Sequence, residues 1–144
     1  ERLGPDVMGT PVPREAMKEA LRRTQLPIAE ALLDQTVLAG VGNIGKSEAL
    51  YAAGIAPQTR GALLTTQQLD HVVRATIQVC WDSYRSRGRW QTHVYRRSGK
   101  PCERCGHPIE RLRLAPSRRT TYYCPRCQPT DGYTRQPMLF DLPG

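Results

Sequence analysis

Apolar residues recur every three or four positions through much of the chain, a spacing that predicts helices. The stretch Pro13–Arg23 begins with proline, which favours the first turn of a helix. A second short helix is predicted from Pro27 to about Gln35. A third is predicted to begin with Asn43 as its N-cap residue and to run through Ala53, where Gly54 ends it.

The longest predicted helix begins at Thr65, which can form a capping box with Gln68. Its apolar side keeps the three-four spacing through Leu69, Val72, Val73, Thr76, Ile77, Cys80, Trp81 and Tyr84. Gly88 is expected to stop this helix. Such regularity is typical of core packing and indicates no function, and Cys80 is expected to be a buried core thiol.

Four of the five cysteines follow the pattern C-x2-C-x18-C-x2-C: Cys102, Cys105, Cys124 and Cys127. Each C-x2-C pair can bind one metal ion from a tight turn, and the long gap suits a β-hairpin that brings the pairs together. We therefore expect one structural Zn²⁺ held by four thiolates. Two disulfides are the alternative, but adjacent C-x2-C pairs suit them poorly. His107 could compete as a ligand, although beside Pro108 it is more simply an exposed turn residue.

Positive charge is concentrated in the last third of the chain. The net charge is +8, and residues 85–127 hold twelve Lys/Arg against two Asp/Glu, whereas the remaining residues hold nine against eleven. A one-sided basic cluster indicates a polyanionic partner, nucleic acid before membrane. No apolar run approaches the ~20 residues of a membrane span, and no signal-peptide pattern opens the chain. The absence of an initiator Met suggests a cleaved product or a fragment.

The stretch "LAGVGNIGKSEAL" (residues 38–50) places Gly40, Gly42 and Asn43 directly before a helix. The first amides of a helix have no intrahelical partners, and glycine lets another group approach the backbone closely. The stretch is therefore a candidate phosphate-binding loop. An ordinary glycine-containing turn is the alternative.

Two segments together resemble a known family. "LLDQTVLAGVGNIGKSEAL" followed by "GKPCERCGHPI…RRTTYYCPRCQ" is similar to the C-terminal half of the formamidopyrimidine-DNA glycosylase and endonuclease VIII family. The resemblance implies a mainly α fold with a small β zinc finger: a helix–two-turn–helix DNA-binding domain in residues 1–94 and a four-cysteine β-hairpin finger in residues 95–128. Residues 129–144 are interpreted as a flexible tail.

The resemblance also implies roles for particular residues. The loop with Gly42 and Asn43 would bind a DNA phosphate near a lesion, and Lys46 would add charge on the same face. Arg119, five residues before the third cysteine, would lie at the hairpin tip, contact phosphates beside the damaged nucleotide and assist strand cleavage as an accessory catalytic residue. Arg118 would be solvated or make a less specific phosphate contact.

Three features depart from the family pattern or refine it. Gly45 stands where the family often has an aromatic residue, which leaves the local packing open. The short segment "RSRGRWQTHVYRR" (residues 85–97) is closer to endonuclease VIII. The family's catalytic amine belongs to an N-terminal Pro followed by Glu on a β-sandwich domain, whereas this chain begins Glu1-Arg2. We therefore expect the DNA-binding half of a base-excision-repair glycosylase and AP lyase, inactive alone and working in the bacterial cytoplasm with the nucleoid.

The tail contains "QPMLF" (residues 136–140), which resembles the peptide by which bacterial repair and replication proteins bind the sliding clamp. Leu139 and Phe140 would enter an apolar pocket and Gln136 would hydrogen-bond at its rim. These residues could instead fold back onto the protein. Two other hypotheses remain beside the DNA-binding half: a stand-alone non-catalytic DNA-binding or clamp-tethered module, and a zinc-ribbon protein-interaction domain.

Overall fold

The computed structural model describes residues 3–130 of the chain. The helices are α1 (Arg14–Arg23), α2 (Ile28–Leu33), α3 (Asn43–Ala53) and α4 (Thr66–Arg85), with a 3₁₀ turn at Gly61–Leu63; the strands are β1 (Glu110–Arg113) and β2 (Thr120–Tyr123). The two strands pair antiparallel as a hairpin. This architecture confirms the mainly α fold with a small β finger. Within residues 3–130, no helix combines the length and the apolarity of a membrane span.

Local signals in the sequence set the ends of two helices. Thr65 Oγ1 accepts a hydrogen bond from Gln68 N, and Gln68 Oε1 accepts one from Thr65 N, so the predicted capping box begins α4. The helix ends at Arg85, and Gly88 follows with φ +81°. Gly54 ends α3 in the left-handed region at φ +73°, as its position after the last apolar residue predicts.

Asn43 is not the N-cap of α3, contrary to the prediction. Gly42 takes the N-cap position, and Asn43 is the first helical residue, with no side-chain capping bond. The physical reason is a competing partner, because the Asn43 side-chain amide donates to the Thr120 carbonyl at 3.1 Å. Asn43 therefore joins α3 to the second strand of the finger.

The main core lies among the four helices. Its fully buried side chains include Met17, Leu21, Ile28, Leu32, Leu38, Leu50, Leu69, Val72 and Val73. Burial of each such side chain stabilises the fold by roughly 1.5–3 kcal/mol. Cys80 belongs to this core with 8% exposure, as predicted, and burial raises the pKa of its thiol to about 11. It is a neutral packing residue.

The finger packs against α3 through a second, smaller core. Tyr51 of α3 is buried there with Val94, Ile109 and the cysteines Cys102, Cys124 and Cys127. The buried Gln128 accepts a hydrogen bond from Cys124 N and donates one to Ile55 O. Helical and finger residues thus share one packed surface, which fixes the finger's position relative to α3.

Buried Glu48 holds the segment that leads from α4 to the finger. Its carboxylate accepts hydrogen bonds from the backbone amides of His93, Val94 and Tyr95 at 2.8–3.0 Å. Three charge-assisted bonds satisfy a carboxylate that is only 3% exposed. The segment is therefore tied to α3 before the finger begins.

Trp90 packs beside Gly45, the position at which the family often has an aromatic residue. A Cβ built on Gly45 would lie 3.4 Å from Trp90 Cη2 and 3.7 Å from Val41 Cγ1. The indole of the linking segment therefore occupies space beside α3 that a large side chain at position 45 would need. The start of α3 is regular, with Lys46 N donating to Gly42 O at 2.9 Å.

Candidate functional site

The four cysteines of the finger form one cluster. Their sulfur atoms all lie within 4.8 Å of one another, with 3.8 Å between Cys102 and Cys127 and 3.5 Å between Cys105 and Cys124. Four thiolates around one Zn²⁺ at ~2.3 Å place their sulfurs about 3.8 Å apart, so this donor set fits a tetrahedral zinc ion. All four are free thiols, which excludes the disulfide alternative. With all four positions supplied by protein, the ion is structural.

His107 lies outside this cluster. Its Nε2 is 3.5 Å from a carboxylate oxygen of Glu110, and its backbone carbonyl accepts a hydrogen bond from Cys102 N. The ring is about one-third exposed. His107 follows the turn at residues 103–105 and is half-buried, so the prediction of an exposed turn residue is wrong.

The helical domain contributes a hydrogen bond to the metal ligands. The Tyr51 hydroxyl lies 3.1 Å from Cys102 Sγ. Burial and the bond to Cys102 raise the pKa of Tyr51, so the phenol keeps its proton and can donate it to Cys102 Sγ when that sulfur is a metal-bound thiolate. The amides of Arg104 and Cys127 also donate to cluster sulfurs, at 3.4 Å each. Such outer bonds orient metal ligands, and Tyr51 makes the zinc centre part of the contact with α3.

The glycine-containing loop leaves the beginning of α3 open. Lys46 makes the first intrahelical bond, so the amides of Asn43, Ile44 and Gly45 have no partner within the helix. Gly42 has φ −100°, which any residue can adopt, and a Cβ there would meet no atom within 4 Å. Gly40 differs, because its φ of +99° favours glycine. This end of α3 can receive an anion.

Asn43 and Lys46 meet the finger at one atom. The Thr120 carbonyl accepts from Asn43 Nδ2 at 3.1 Å and from Lys46 Nζ at 3.2 Å. Lys46 Nζ also donates to Asn43 Oδ1 at 2.5 Å. Asn43 Nδ2 carries a second hydrogen that neither bond uses.

Lys46 is completely buried, which the sequence did not indicate. Burial lowers the pKa of its ammonium to about 8; the negative charge of Glu30 opposes this shift, and the positive charge of Arg119 adds to it. Lys46 therefore lies close enough to both Glu30 and Arg119 for their charges to act on it. Contact of Lys46 with a DNA phosphate stays a prediction. In this structure its ammonium donates to Asn43 Oδ1 and to Thr120 O.

Lys46 should make the protein more stable as the pH rises from about 8 towards 10. Its folded pKa of about 8 lies below the ordinary 10.5, so the unfolded state binds more protons in this window and the free energy of unfolding increases with pH. Between pH 7.5 and 9.5 the gain is about 2 kcal/mol. Urea unfolding of the zinc-loaded wild type and of Lys46→Met, which cannot titrate, measures it. Identical pH dependence of the two proteins would contradict the assignment.

Glu30 joins α2 to the finger loop, residues 114–119. Its carboxylate accepts from Ser117 N at 2.6 Å and from Ser117 Oγ at 2.7 Å. Ser117 Oγ in turn accepts from Arg119 N at 3.1 Å. Sequence reasoning missed this contact. The available signal was that Glu30 is the single charged residue in the apolar helix "IAEALL".

The finger loop presents arginine side chains to solvent. Arg118 and Arg119 are both exposed, and Arg118 adopts φ +58° while its amide donates to Leu114 O. Arg111 and Arg113 of β1 are exposed as well. This face of the finger is strongly basic and adjoins the start of α3, because Thr120 directly follows Arg119.

Comparison with known families identifies the chain. The family described as the formamidopyrimidine-DNA glycosylase H2TH domain matches residues 3–91, more than half of the chain. The family described as the zinc finger found in FPG and IleRS matches residues 99–130. The chain belongs to the formamidopyrimidine-DNA glycosylase (Fpg) family. Both segments that carried the resemblance are therefore confirmed, in the expected order.

Curated relatives of this Fpg-family chain include the formamidopyrimidine-DNA glycosylases of Chloroflexus aggregans and of a Synechococcus species. The first is 40% identical over 87% of this chain and 50% of its own length. The second is 36% identical over 89% of this chain and 50% of its own length. The chain spans about half the length of the curated relatives it matches.

Solved structures give the same family. Lactococcus lactis Fpg in complex with DNA containing an abasic site matches with a TM-score of 0.80 and 26% identity, over 89% of this chain and 52% of that one. MutM in complex with DNA containing carbocyclic 8-oxo-G matches with a TM-score of 0.78 and 27% identity, over 89% and 51%. These relatives are Fpg proteins, so the expected closeness to endonuclease VIII is not confirmed.

Proposed function

We propose that this Fpg-family chain binds duplex DNA at an abasic site or an oxidised base. Its DNA-binding residues would be Gly42, Asn43, Lys46, Arg118 and Arg119. The observation that carries the proposal is the junction at Thr120 O, where the open start of α3 meets the finger loop. The matched Lactococcus lactis Fpg was solved with abasic-site DNA, which favours this class of partner.

Two phosphates can be recognised at this junction by different chemistry. The free amides of α3, its partial positive charge and the second hydrogen of Asn43 Nδ2 suit one phosphate. The planar guanidinium of Arg119 suits another, through two parallel hydrogen bonds. Lys46, one turn into α3, adds positive charge behind Asn43. Arg118 would contribute a less specific phosphate contact.

In a full-length enzyme this chain would supply DNA binding to a base-excision-repair glycosylase and AP lyase. Arg119 would assist strand cleavage by holding a phosphate beside the reacting sugar. Residues 1–94 and 95–128 would form the helical domain and the finger, with zinc keeping the hairpin rigid. A DNA-repair role would place the protein in the bacterial cytoplasm, associated with the nucleoid. The amine that attacks the sugar would belong to another part of such an enzyme, so we expect no lyase activity from the helical domain and the finger alone.

Fluorescence anisotropy with two otherwise identical duplexes, one carrying a tetrahydrofuran abasic-site analogue, tests the proposal. We expect tighter binding to the abasic duplex and an affinity that falls steeply with salt, because phosphate contacts release counterions. Borohydride trapping on a true abasic site should yield no covalent adduct. Salt-independent binding would favour a zinc-ribbon protein-interaction domain, and an adduct would show that an amine within this chain reacts.

Alanine substitutions at Gly42 and Gly40 should distinguish an effect on phosphate binding from an effect on folding stability. Gly42→Ala should change the free energy of unfolding by less than about 0.5 kcal/mol, because the φ suits alanine and the added Cβ meets open space. It should nevertheless weaken abasic-DNA binding by covering the α3 amides. Gly40→Ala is the matched change, expected to destabilise by about 1–2 kcal/mol through its left-handed φ. Urea unfolding and anisotropy measure both; unchanged DNA affinity of Gly42→Ala would contradict the loop assignment.

A sliding clamp is a second candidate partner, favoured by the tail sequence "QPMLF". Gln136, Leu139 and Phe140 would bind it, and all three lie outside the described residues. Deletion of residues 136–140 should abolish binding to an immobilised bacterial sliding clamp and leave abasic-DNA affinity unchanged. A scrambled tail of the same composition is the control. Loss of both activities, or clamp binding by the scrambled tail, would refute this hypothesis.

A further inference from the structure

We infer that Glu30 is a positioning residue for Arg119, acting through the Ser117 side chain and backbone. This inference rests on the proposed DNA-binding function. Glu30 lies in α2, 87 positions from Ser117 in the sequence, and no motif assigned it a role. Its contacts lead directly to the residue that the proposal places on DNA.

Ser117 transmits the contact in two steps. Both carboxylate oxygens of Glu30 are used, one by Ser117 N at 2.6 Å and one by Ser117 Oγ at 2.7 Å. Since that hydroxyl donates its hydrogen to Glu30, its oxygen is free to accept from Arg119 N at 3.1 Å. Glu30 is only 3% exposed and its two bonds to Ser117 are partly buried, a setting in which charge-assisted bonds are stronger than in bulk water.

The other side of Arg119 is held from α3. Thr120 O accepts from Asn43 Nδ2 and from Lys46 Nζ, one residue after Arg119. The arginine backbone therefore lies between two residues that bond to two different helices. A loop ordered before binding loses less conformational entropy when it contacts a ligand, and the affinity is correspondingly higher.

The direction of the change in DNA affinity distinguishes a positioning role of Glu30 from a purely electrostatic one. Glu30 is an anion beside a surface proposed to bind a polyanion, so its charge alone disfavours DNA. If only charge mattered, Glu30→Gln would strengthen binding. If Glu30 positions Arg119, the same change weakens binding, because a neutral amide has one acceptor oxygen where the carboxylate has two.

The experiment compares Glu30→Gln, Ser117→Ala and the control Glu110→Gln, each with Arg119 present and with Arg119→Ala. Glu110→Gln removes the same charge from an exposed carboxylate of the finger. Ser117→Ala removes the bridging hydroxyl with no charge change. The readouts are affinity for the tetrahydrofuran duplex and for the undamaged duplex, with thermal unfolding to verify folding.

We expect Glu30→Gln to weaken abasic-DNA binding roughly tenfold, as the loss of one charge-assisted bond implies, and Ser117→Ala to weaken it by less. In the Arg119→Ala background both effects should vanish, a coupling that a general loss of stability would not produce. Glu110→Gln should leave binding unchanged or slightly tighter. Should Glu30→Gln not fold, the coupling of Ser117→Ala with Arg119→Ala decides alone.

Stronger binding by Glu30→Gln, or equal losses with and without Arg119, would overturn the inference. The same holds if Ser117→Ala shows no coupling to Arg119. A wild-type chain that does not distinguish the abasic duplex would instead refute the proposed function. A wild-type preference that depends on Arg119 but is insensitive to Glu30 and Ser117 would refute only the inference.

Discussion

Replacement of Cys127 by serine should release zinc, unfold the finger and abolish the preference for abasic DNA while the helical core stays folded. The hairpin has only four residues in each strand, too few for a large hydrophobic core, so the metal bound by the four sulfurs is expected to stabilise the finger instead. Structural zinc sites supply roughly 10–16 kcal/mol of apparent binding free energy, which so short a hairpin cannot replace. The helical core, with its own buried side chains, contains no zinc ligand.

The chain offers a matched control for this change. Cys80→Ser is the same substitution at a buried cysteine of the helical core, outside the sulfur cluster. It should lower the free energy of unfolding by about 1–3 kcal/mol through an unpaired buried hydroxyl, yet retain one zinc ion and the DNA preference. Metal analysis, far-ultraviolet circular dichroism and anisotropy distinguish the two variants. If Cys127→Ser still preferred the abasic duplex, the finger would not be the lesion-proximal element.

The parts of this fold that the sequence predicts are those set by neighbours along the chain. Thr65 and Gln68 are three residues apart, and the two C-x2-C pairs each form one turn, so pattern and spacing were sufficient for the capping box and the zinc cluster. Asn43 shows where such reasoning fails. It satisfies every local preference of an N-cap, but Thr120, 77 residues away, offers its side chain a competing partner.

Long separation along the chain also explains why the sequence did not predict the contacts of Glu30 and Tyr51. Glu30 and Ser117 are 87 positions apart, and Tyr51 and Cys102 are 51 apart, so neither contact has a periodic signature. Trp90 beside Gly45 is a similar case, in which the sequence revealed a missing aromatic residue but not the one that fills the space. The resemblance to the Fpg family indicated which loops to propose for DNA binding. The structure adds the buried side chains that hold those loops together.

The buried charged residues Lys46 and Glu30 both bond to the finger next to Arg119. Lys46 and Glu30 are both almost fully buried, and each bonds to the finger on one side of Arg119. A buried charge without a partner is costly, so each would destabilise the fold if the finger moved away. The same bonds that satisfy these charges therefore keep the exposed arginine in one place relative to α3.

Arg119→Lys should weaken abasic-DNA binding by about 10- to 100-fold, although it conserves the charge. Lysine presents a point charge, whereas the guanidinium forms two parallel bonds to one phosphate, and loss of a charge-assisted bond costs roughly 1.5–3 kcal/mol. Because the charge is kept, affinity for undamaged DNA should change little. Arg119→Ala should in addition reduce the slope of log K against log salt by about one.

Arg118→Lys is the matched control, since Arg118 is the neighbouring exposed arginine of the same loop. Its amide donates to Leu114 O within the loop, and among residues 3–130 no hydrogen bond is recorded from α2 or α3 to Arg118 like those made to Ser117 and Thr120 on either side of Arg119. A solvated or less specific phosphate contact at Arg118 predicts losses below about threefold, equal for damaged and undamaged duplexes. Anisotropy titrations over a range of salt separate the two residues. Equally small losses at both positions would mean that charge density alone, without a positioned guanidinium, accounts for binding by the finger.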